Sequence, residues 1–224
     1  MSSLPLNTES IKAKDKTQSL VILLHGYGAQ GNDLAPIASA WHRVMPQTTF
    51  LLPDAPFPCE IHPTGRQWFS LQPFTPDHIA QQAKQHQSVL IDYLEQAHAL
   101  YHITPRRTIV CGFSQGGMVA LHIGLTAYPH LKAILGYSCA LYPLRAQDII
   151  ARPDILLIHG QQDSVVDHEL MAQTSTWLAQ HGVKHHTISR PHLGHAIDNE
   201  GIKQGARFIQ KQFSTEHDHV SPSL

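Results

Sequence analysis

Short apolar runs of strand length alternate along the chain with longer segments whose apolar residues recur at helical spacing. The runs are SLVILLHG (19–26), TTFLLPDAP (48–56), RTIVCGF (107–113), KAILGYSCAL (132–141), DILLIHG (154–160) and KHHTISR (184–190). Helical patterns occupy residues 32–45, 77–102, 116–128, about 168–181 and 199–213. Near-continuous apolar runs are typical of strands buried on both faces of a parallel sheet. The alternation therefore predicts an α/β fold, with a mostly parallel central sheet covered by helices on both faces.

The same pattern predicts one domain over residues 18–213, preceded by a polar N-terminal arm (1–17) and followed by a disordered tail (214–224). Only about a dozen residues separate Tyr142 from Ile155, which leaves no room for a lid domain. The longest irregular connection, residues 53–76, contains six prolines. A loop of this length in a compact domain is usually functional, and its prolines favour a fixed wall over a moving flap.

The composition is that of an ordinary globular protein: 224 residues, 42% hydrophobic and 15% charged, with a formal net charge of -1. A balance this close to neutral gives no electrostatic reason to expect nucleic acid or an anionic membrane as a partner. No apolar run approaches the roughly 18 residues of a bilayer-spanning helix, and the N-terminal residues lack the apolar core of a signal peptide. We therefore expect a cytoplasmic protein without stable membrane insertion.

Cysteine and histidine usage gives no sign of a metal site. Cys59, Cys111 and Cys139 are far apart and form no CxxC pair, which argues against a disulfide framework or a zinc knuckle. The 18 histidines are unusually many. However, the HH pair at 185–186 and the HDH segment at 217–219 lack the spacing of a catalytic metal motif. We expect neither a metal nor a cofactor.

One serine lies at the junction of a predicted strand and a predicted helix. Gly112-Phe113-Ser114-Gln115-Gly116 matches the pattern G-x-S-x-G, and it stands between the run 107–113 and the helix 116–128. In that setting the pattern predicts a nucleophile elbow, a turn so tight that its flanks must be glycine. The serine would then project its hydroxyl into open space at the start of a helix, where developing negative charge is favoured.

A serine hydroxyl needs a base to remove its proton and a third group to orient that base. In this architecture the partners of Ser114 should follow in the order carboxylate, then histidine, beyond the ends of later strands. Asp163 and His195 occupy those positions. Asp167 and His192 are the alternatives, although Asp167 is better placed to cap the next helix and Gly194 gives the loop at His195 more freedom. We therefore predict a catalytic triad of Ser114, Asp163 and His195.

An oxyanion hole requires two N–H donors aimed at the tetrahedral intermediate. The Gln115 amide, directly after the nucleophile, supplies one. The glycine-rich segment HGYGAQGND (25–33) can bend toward the substrate, and the Tyr27 amide is its best donor. His25 and His159 precede glycines at strand ends and are expected to brace these loops by hydrogen bonding.

Four segments together resemble one known family. LLHGYGAQGNDL, GFSQGGMVAL, HGQQDSVV and GHAI are similar to the carboxylesterase/phospholipase branch of the α/β-hydrolases, which includes small bacterial carboxylesterases and acyl-protein thioesterases. The resemblance implies a lidless α/β-hydrolase fold with the triad and oxyanion donors named above. It also implies that Trp68 and Phe69 lie by the acyl pocket. Ser164 departs from the pattern, because relatives often carry proline after the acid.

The predicted activity is hydrolysis of a carboxylic ester or acyl thioester with a short to medium acyl chain, through an acyl-serine intermediate. A site flanked by Trp68, Phe69, Leu71 and Phe74 suits a small ester or one flexible chain, unless these side chains pack only against the prolines of their own loop. Lysophospholipids and acylated protein cysteines are alternative substrates. A serine peptidase, an acyltransferase and a non-catalytic hydrolase-fold binding protein are alternatives of other classes. The oligomeric state stays open, a homodimer included.

Overall fold

The computed structural model describes residues 4–214. Within them, seven strands form one sheet in the order β1-β3-β2-β6-β7-β8-β9. These strands are β1 (Thr8–Ile11), β2 (Ser19–Leu24), β3 (Thr48–Pro53), β6 (Thr108–Phe113), β7 (Ala133–Tyr137), β8 (Asp154–Gly160) and β9 (His185–Arg190). A separate hairpin pairs β4 (Phe57–Pro58) with β5 (Arg66–Gln67). Every pairing in the large sheet is parallel except that of β1 with β3.

Helices cover both faces of this sheet. They are α1 (Ala35–His42), α2 (Pro76–Tyr101), α3 (Gln115–Thr126), α4 (His168–Gln180) and α5 (Asn199–Ser214). Side chains alternate along β2, so Leu20, Ile22 and Leu24 pack in one core with α2, α3 and α4, whereas Val21 and Leu23 pack in the other with α1 and α5. Burial on both faces explains why the strands read as continuous apolar runs. The predicted fold class is confirmed.

Residues 1–17 are not simply a polar arm, because Thr8–Ile11 add an antiparallel strand to the edge of the sheet against β3. This strand, TESI, is partly exposed and mostly polar, so it lacks a hydrophobic period. Backbone hydrogen bonds hold it, and sequence patterning does not report those. The predicted tail begins at Ser214, the last residue of α5, and its remainder (215–224) lies outside the described residues.

The segment between β7 and β8 contains one short 3₁₀ turn, Ala146–Asp148, and no further helix or strand within the described chain. No helix among residues 4–214 has the length and apolar character needed to cross a bilayer. Since β2, β6, β8 and β9 run parallel in one sheet, the loops that follow them share its carboxyl edge. That edge carries the candidate functional residues.

Candidate active site

Ser114 occupies the tight turn between β6 and α3. Its backbone has φ 52° and ψ -120°, a left-handed conformation that side-chain-bearing residues rarely adopt. A Cβ at Gly112 would run into the backbone of Gly116, and a Cβ at Gly116 would fall on the carbonyl oxygen of Leu24. The glycine positions of the motif therefore have a steric cause, and the turn has the geometry of a nucleophile elbow.

The turn is held by backbone hydrogen bonds on both sides of the serine. The Ser114 amide donates to the Tyr137 carbonyl at 2.9 Å, which ties the elbow to β7. The amides of Gly117 and Met118 donate to the Ser114 carbonyl at 3.0 and 3.1 Å and start α3. The Gln115 amide is the first N–H of this helix and has no acceptor within it. It is thus available to a ligand at the serine.

Asp163 and His195 form a direct pair. His195 Nδ1 lies 2.8 Å from Asp163 Oδ2, and the Asp163 side chain is fully buried. The amides of Val165 and Val166 each donate to Asp163 Oδ1 at 2.9 Å. Burial by itself would raise the pKa of Asp163, but the hydrogen bonds from His195 and the two amides outweigh it and hold that pKa below its ordinary value. The acid is therefore a carboxylate that accepts a hydrogen bond from Nδ1, so that Nε2 is the nitrogen that can act as a base in the neutral imidazole.

The imidazole of His195 rests beside the elbow. Its ring centroid lies 4.8 Å from that of Phe113, the residue directly before Ser114. No hydrogen bond between Ser114 Oγ and His195 is formed among residues 4–214. In ligand-free enzymes this contact is often long and tightens only when substrate binds. The structure thus joins Asp163 to His195 directly and brings His195 to the side of Ser114.

The loop after β2 borders the serine from the other side. A Cβ built on Gly26 would lie 3.3 Å from Ser114 Cβ, so this backbone closely approaches the nucleophile. The Gly28 amide donates to the Arg66 carbonyl and the Ala29 amide to the Gly26 carbonyl. Neither the Tyr27 amide nor the Gln115 amide donates to another backbone group within the described chain. Two unengaged N–H groups beside a serine are what an oxyanion hole requires.

His25 fixes the shape of this loop. The Ala55 amide donates to His25 Nε2 at 2.9 Å, so the ring proton is on Nδ1, which donates to the Gly26 carbonyl at 2.7 Å. Burial lowers the pKa of His25, which is consistent with a neutral ring in this role. The His25 carbonyl accepts the indole N–H of Trp68 at 3.0 Å. The imidazole is thus fully bonded and braces the loop, as the sequence suggested.

The proline-rich loop 53–76 meets the elbow through the side chain of Gln115. This side chain is fully buried; its Oε1 accepts the Trp68 amide at 3.0 Å and its Nε2 donates to the Phe69 carbonyl at 2.7 Å. Trp68 and Phe69 are themselves buried in the core formed with α2 and α3. They do not pack only against their own loop.

The other two residues of the predicted acyl wall are placed differently. Leu71 is half-buried against the same core, whereas Phe74 is 55% exposed. Phe74 lies two residues before the start of α2, and it is far more exposed than Trp68 and Phe69. Trp68 and Phe69 are the pair that the structure ties to the serine turn.

The chain is similar to known proteins along nearly all of its length. A model of the phospholipase/carboxylesterase family matches residues 6–213. The chain belongs to this family. This chain is 26% identical to acyl-protein thioesterase 1 of Emericella nidulans, across 92% of this chain and 95% of the relative. It is 27% identical to esterase YpfH of Escherichia coli, across 86% of this chain and 83% of the relative.

A solved structure agrees with that assignment. The crystal structure of esterase PE8 superposes on this phospholipase/carboxylesterase family member with a TM-score of 0.88. The two are 32% identical, and the match covers 92% of this chain and 98% of that one. The resemblance inferred from the four sequence segments is confirmed.

Asp167 and His192, the alternatives to Asp163 and His195, have other surroundings in the structure. Asp167 accepts the Glu169 amide at 2.9 Å and caps α4. His192 is exposed and has a φ of 62°. Gly194 does not owe its position to backbone freedom, because its φ lies outside the left-handed region and an added Cβ would meet only Gln162 O, at 3.6 Å. The pairing with Asp163 therefore distinguishes His195 from His192, and the neighbouring glycine does not.

His159 was expected only to brace a loop, and the sequence did not predict its contact with Asp163. It is buried, and its Nε2 lies 2.8 Å from the Val166 carbonyl and 3.1 Å from Asp163 Oδ2. Since both neighbours accept hydrogen bonds, this nitrogen carries the ring proton. Burial lowers the pKa of His159 despite these contacts. The available signal was its position four residues before Asp163 at the same strand end.

Within residues 4–214, no group of three or more His, Cys, Asp or Glu side chains is placed so that it could hold a metal ion. His185 of the HH pair instead bonds Ser175 Oγ and the Val183 carbonyl. The HDH segment at 217–219 lies outside the described residues. The absence of a metal and of a cofactor stays a prediction.

Proposed function

We propose that this chain is a serine hydrolase that cleaves carboxylic esters or acyl thioesters, with Ser114 as nucleophile, His195 as general base and Asp163 as the carboxylate that orients it. Membership of the phospholipase/carboxylesterase family supports the reaction class. The observation that carries the assignment of roles is the 2.8 Å contact between His195 Nδ1 and Asp163 Oδ2 beside the strained elbow of Ser114.

In the proposed reaction, Ser114 Oγ attacks the acyl carbon while His195 Nε2 takes its proton. Asp163 keeps the other imidazole nitrogen protonated and stabilises the imidazolium that forms. The amides of Tyr27 and Gln115 donate to the oxyanion. The imidazolium then protonates the departing alcohol or thiol, and the acyl group stays on Ser114. Water, deprotonated by His195, then attacks the acyl carbon. The imidazolium returns this proton to Ser114 Oγ as the bond to the acyl group breaks, and the carboxylic acid is released.

The proposed catalytic residues define the reaction more narrowly than they define the substrate. Thiol and alcohol leaving groups both suit this machinery, and the names of the relatives include acyl-protein thioesterase as well as esterase. We place a short to medium acyl chain beside Trp68 and Phe69, because these apolar rings are held next to the elbow by Gln115. Lysophospholipids and acylated protein cysteines are the alternative substrates. A cytoplasmic location stays a prediction.

The nucleophile is tested by labelling with a fluorophosphonate and by a panel of p-nitrophenyl esters of graded chain length beside an acyl thioester. Wild-type protein should be labelled and active, and Ser114→Ala should lose both properties. Ser164→Ala is the matched control, since Ser164 is an exposed serine adjacent to Asp163 and should keep both. Labelling that persists in Ser114→Ala would contradict the proposed nucleophile.

The same panel separates the alternative reactions. A peptidase would cleave an amide substrate at a rate comparable to that of its ester, and an acyltransferase would form a new ester when an alcohol acceptor is added. A hydrolase-fold binding protein would bind acyl compounds without turnover. We expect ester and thioester hydrolysis to dominate, with free acid as the product.

A further inference from the structure

A cleft of about 540 Å³ opens at the edge of the sheet opposite to Ser114. Its walls come from the segments that lead into four parallel strands, β6 to β9, and from the last turn of α5. Five cationic side chains line it: Arg106, Lys132, Arg152, Lys184 and Lys211. The first four precede β6, β7, β8 and β9 respectively. Parallel strands bring their amino ends to one edge, so residues far apart in sequence converge there.

The described residues that line this cleft include more cations than carboxylates, although the whole chain has a formal net charge of -1. Asp154 is the carboxylate among the lining residues. Its Oδ2 lies 2.7 Å from Lys184 Nζ and 2.9 Å from Gln212 Nε2, so that it is already engaged by the wall. Arg106 and Lys211 form no ion pair within residues 4–214. Within residues 4–214, Arg106 and Lys211 therefore face the cleft as cations without a carboxylate partner.

The backbone that carries these cations is pinned. The Lys132 amide donates to the Thr108 carbonyl at 2.9 Å, and the amides of Ile150 and Ala151 both donate to the Leu125 carbonyl. Arg152 Nε donates to the His181 carbonyl at 2.9 Å, which holds the guanidinium in place and leaves its two terminal NH₂ groups to donate elsewhere. Cations that face one cleft repel one another, and a bound anion removes that cost. A backbone that is already fixed also loses less entropy when a ligand binds.

We propose that this cleft binds a small phosphorylated anion that carries at least two phosphate groups. Guanidinium groups match phosphate oxygens in a bidentate fork, and ammonium groups add point charges around it. The volume falls within the range of small-molecule sites. A compound of the size of a nucleoside diphosphate fits both the space and the charge. The site is separate from the proposed hydrolase site, because it lies at the amino ends of the strands whose carboxyl ends lead to Ser114 and Asp163.

The test is calorimetric titration of the full-length protein with inorganic tripolyphosphate at low ionic strength, with citrate titrated in parallel. We expect saturable one-to-one binding of tripolyphosphate in the sub-millimolar range and weaker binding of citrate. In Arg106→Glu/Lys211→Glu the affinity should fall at least tenfold. The matched control is Lys203→Glu/Arg207→Glu, which makes the same change of charge on exposed side chains of α5 outside the cleft. It should stay within about threefold of wild type.

Equal weakening in both double variants would overturn the proposal, because it would show attraction to overall charge and no defined site. Absence of saturable binding to wild-type protein, or citrate binding as tight as tripolyphosphate, would overturn it as well. Arg106→Gln/Lys211→Gln introduces no repulsion and guards against misfolding; it should weaken binding with an unchanged melting temperature in the absence of ligand. Hydrolysis of a p-nitrophenyl ester, measured on every variant, should not change. Failure of either proposal can therefore be told from failure of the other.

Discussion

His159 Nε2 lies 3.1 Å from Asp163 Oδ2, the same oxygen that His195 Nδ1 approaches at 2.8 Å. The second oxygen of this carboxylate accepts the amides of Val165 and Val166. Three hydrogen-bond donors and the close ring nitrogen of His159, from three segments of the chain, therefore surround one buried acid. The carboxylate has little freedom to rotate, so the direction in which it presents Oδ2 to His195 is set before any substrate arrives.

Replacing His159 should therefore impair catalysis through Asp163. His159→Phe removes the donor to Oδ2 and leaves the Val166 carbonyl without its partner, which should cost about 1–3 kcal/mol of the free energy of unfolding. We expect kcat to fall by about ten- to a hundredfold with a small change in KM, because orientation of the base matters most in the transition state. Ester hydrolysis and urea unfolding measure the two effects.

The conservative variant distinguishes positioning from simple loss of stability. His159→Gln can still donate through its amide and should recover most of kcat. His186→Phe, an exposed histidine on β9, is the control and should leave kcat unchanged. If His159→Phe kept wild-type kcat while losing stability, the proposed positioning role would be wrong.

Gln115 should contribute by its side chain as well as by its amide. Gln115→Ala leaves the Trp68 amide and the Phe69 carbonyl buried without partners, which should lower the free energy of unfolding by about 1–3 kcal/mol for each group that water cannot reach. Because these bonds attach the apolar wall to the elbow, KM for longer acyl esters should rise more than KM for acetate esters. Gln173→Ala, on the exposed face of α4, should be neutral. If KM changed equally for esters of all chain lengths, the wall formed by Trp68 and Phe69 would have no part in binding the acyl chain.

The glycines near the site should differ sharply in their tolerance of alanine. In Gly116→Ala the new methyl group meets the backbone of Leu24 and His25, which cannot move aside without breaking the sheet. We expect a loss of about 3 kcal/mol or more of stability together with loss of activity. In Gly194→Ala the methyl group makes only an ordinary van der Waals contact with Gln162 O at 3.6 Å. Stability should therefore stay within about 0.5 kcal/mol and kcat within about threefold. Thermal melts and ester assays give both readings. A strongly destabilised Gly194→Ala would show that this loop needs glycine after all.

Much of the fold, and the positions of the candidate triad residues relative to the strands, could be predicted because these features depend on burial and local geometry. The inner strands of the parallel sheet are buried on both faces, unlike the edge strand β9. The glycines beside Ser114 are imposed by steric contacts with the backbone of Gly116 and Leu24. Asp163 and His195 could be placed because the carboxyl ends of parallel strands share one edge.

Other features depend on backbone pairing or on contacts distant in sequence, and no local pattern reports them. The strand Thr8–Ile11 is joined to the sheet by backbone bonds. The links from Gln115 to residues 68 and 69 span more than forty positions. The exposure of Phe74 follows from where α2 begins, so an aromatic residue in the right loop was not enough to place it in the wall.

Stability should fall in mildly acidic solution because of two histidines remote from the serine. Burial lowers the pKa of both His98 and His122 to about 4. His98 is bonded to Tyr128 Oη and Thr108 Oγ1, while His122 bonds Gln87 and has Lys84 and Asp148 as its charged neighbours.

Each of these histidines binds a proton in the unfolded chain near pH 6.5, but in the folded chain only near pH 4. Between those values the unfolded state holds more protons, so the free energy of unfolding decreases as the pH falls, by up to about 1.4 kcal/mol per pH unit for each histidine. His98→Gln/His122→Gln should flatten this slope between pH 7 and 5 in urea titrations, whatever its effect at pH 7.5. His62→Gln/His186→Gln, which replaces two exposed histidines, should leave it intact. A slope of equal steepness in both double variants would assign the acid sensitivity to other groups, with the buried His25 and His159 next to be tested.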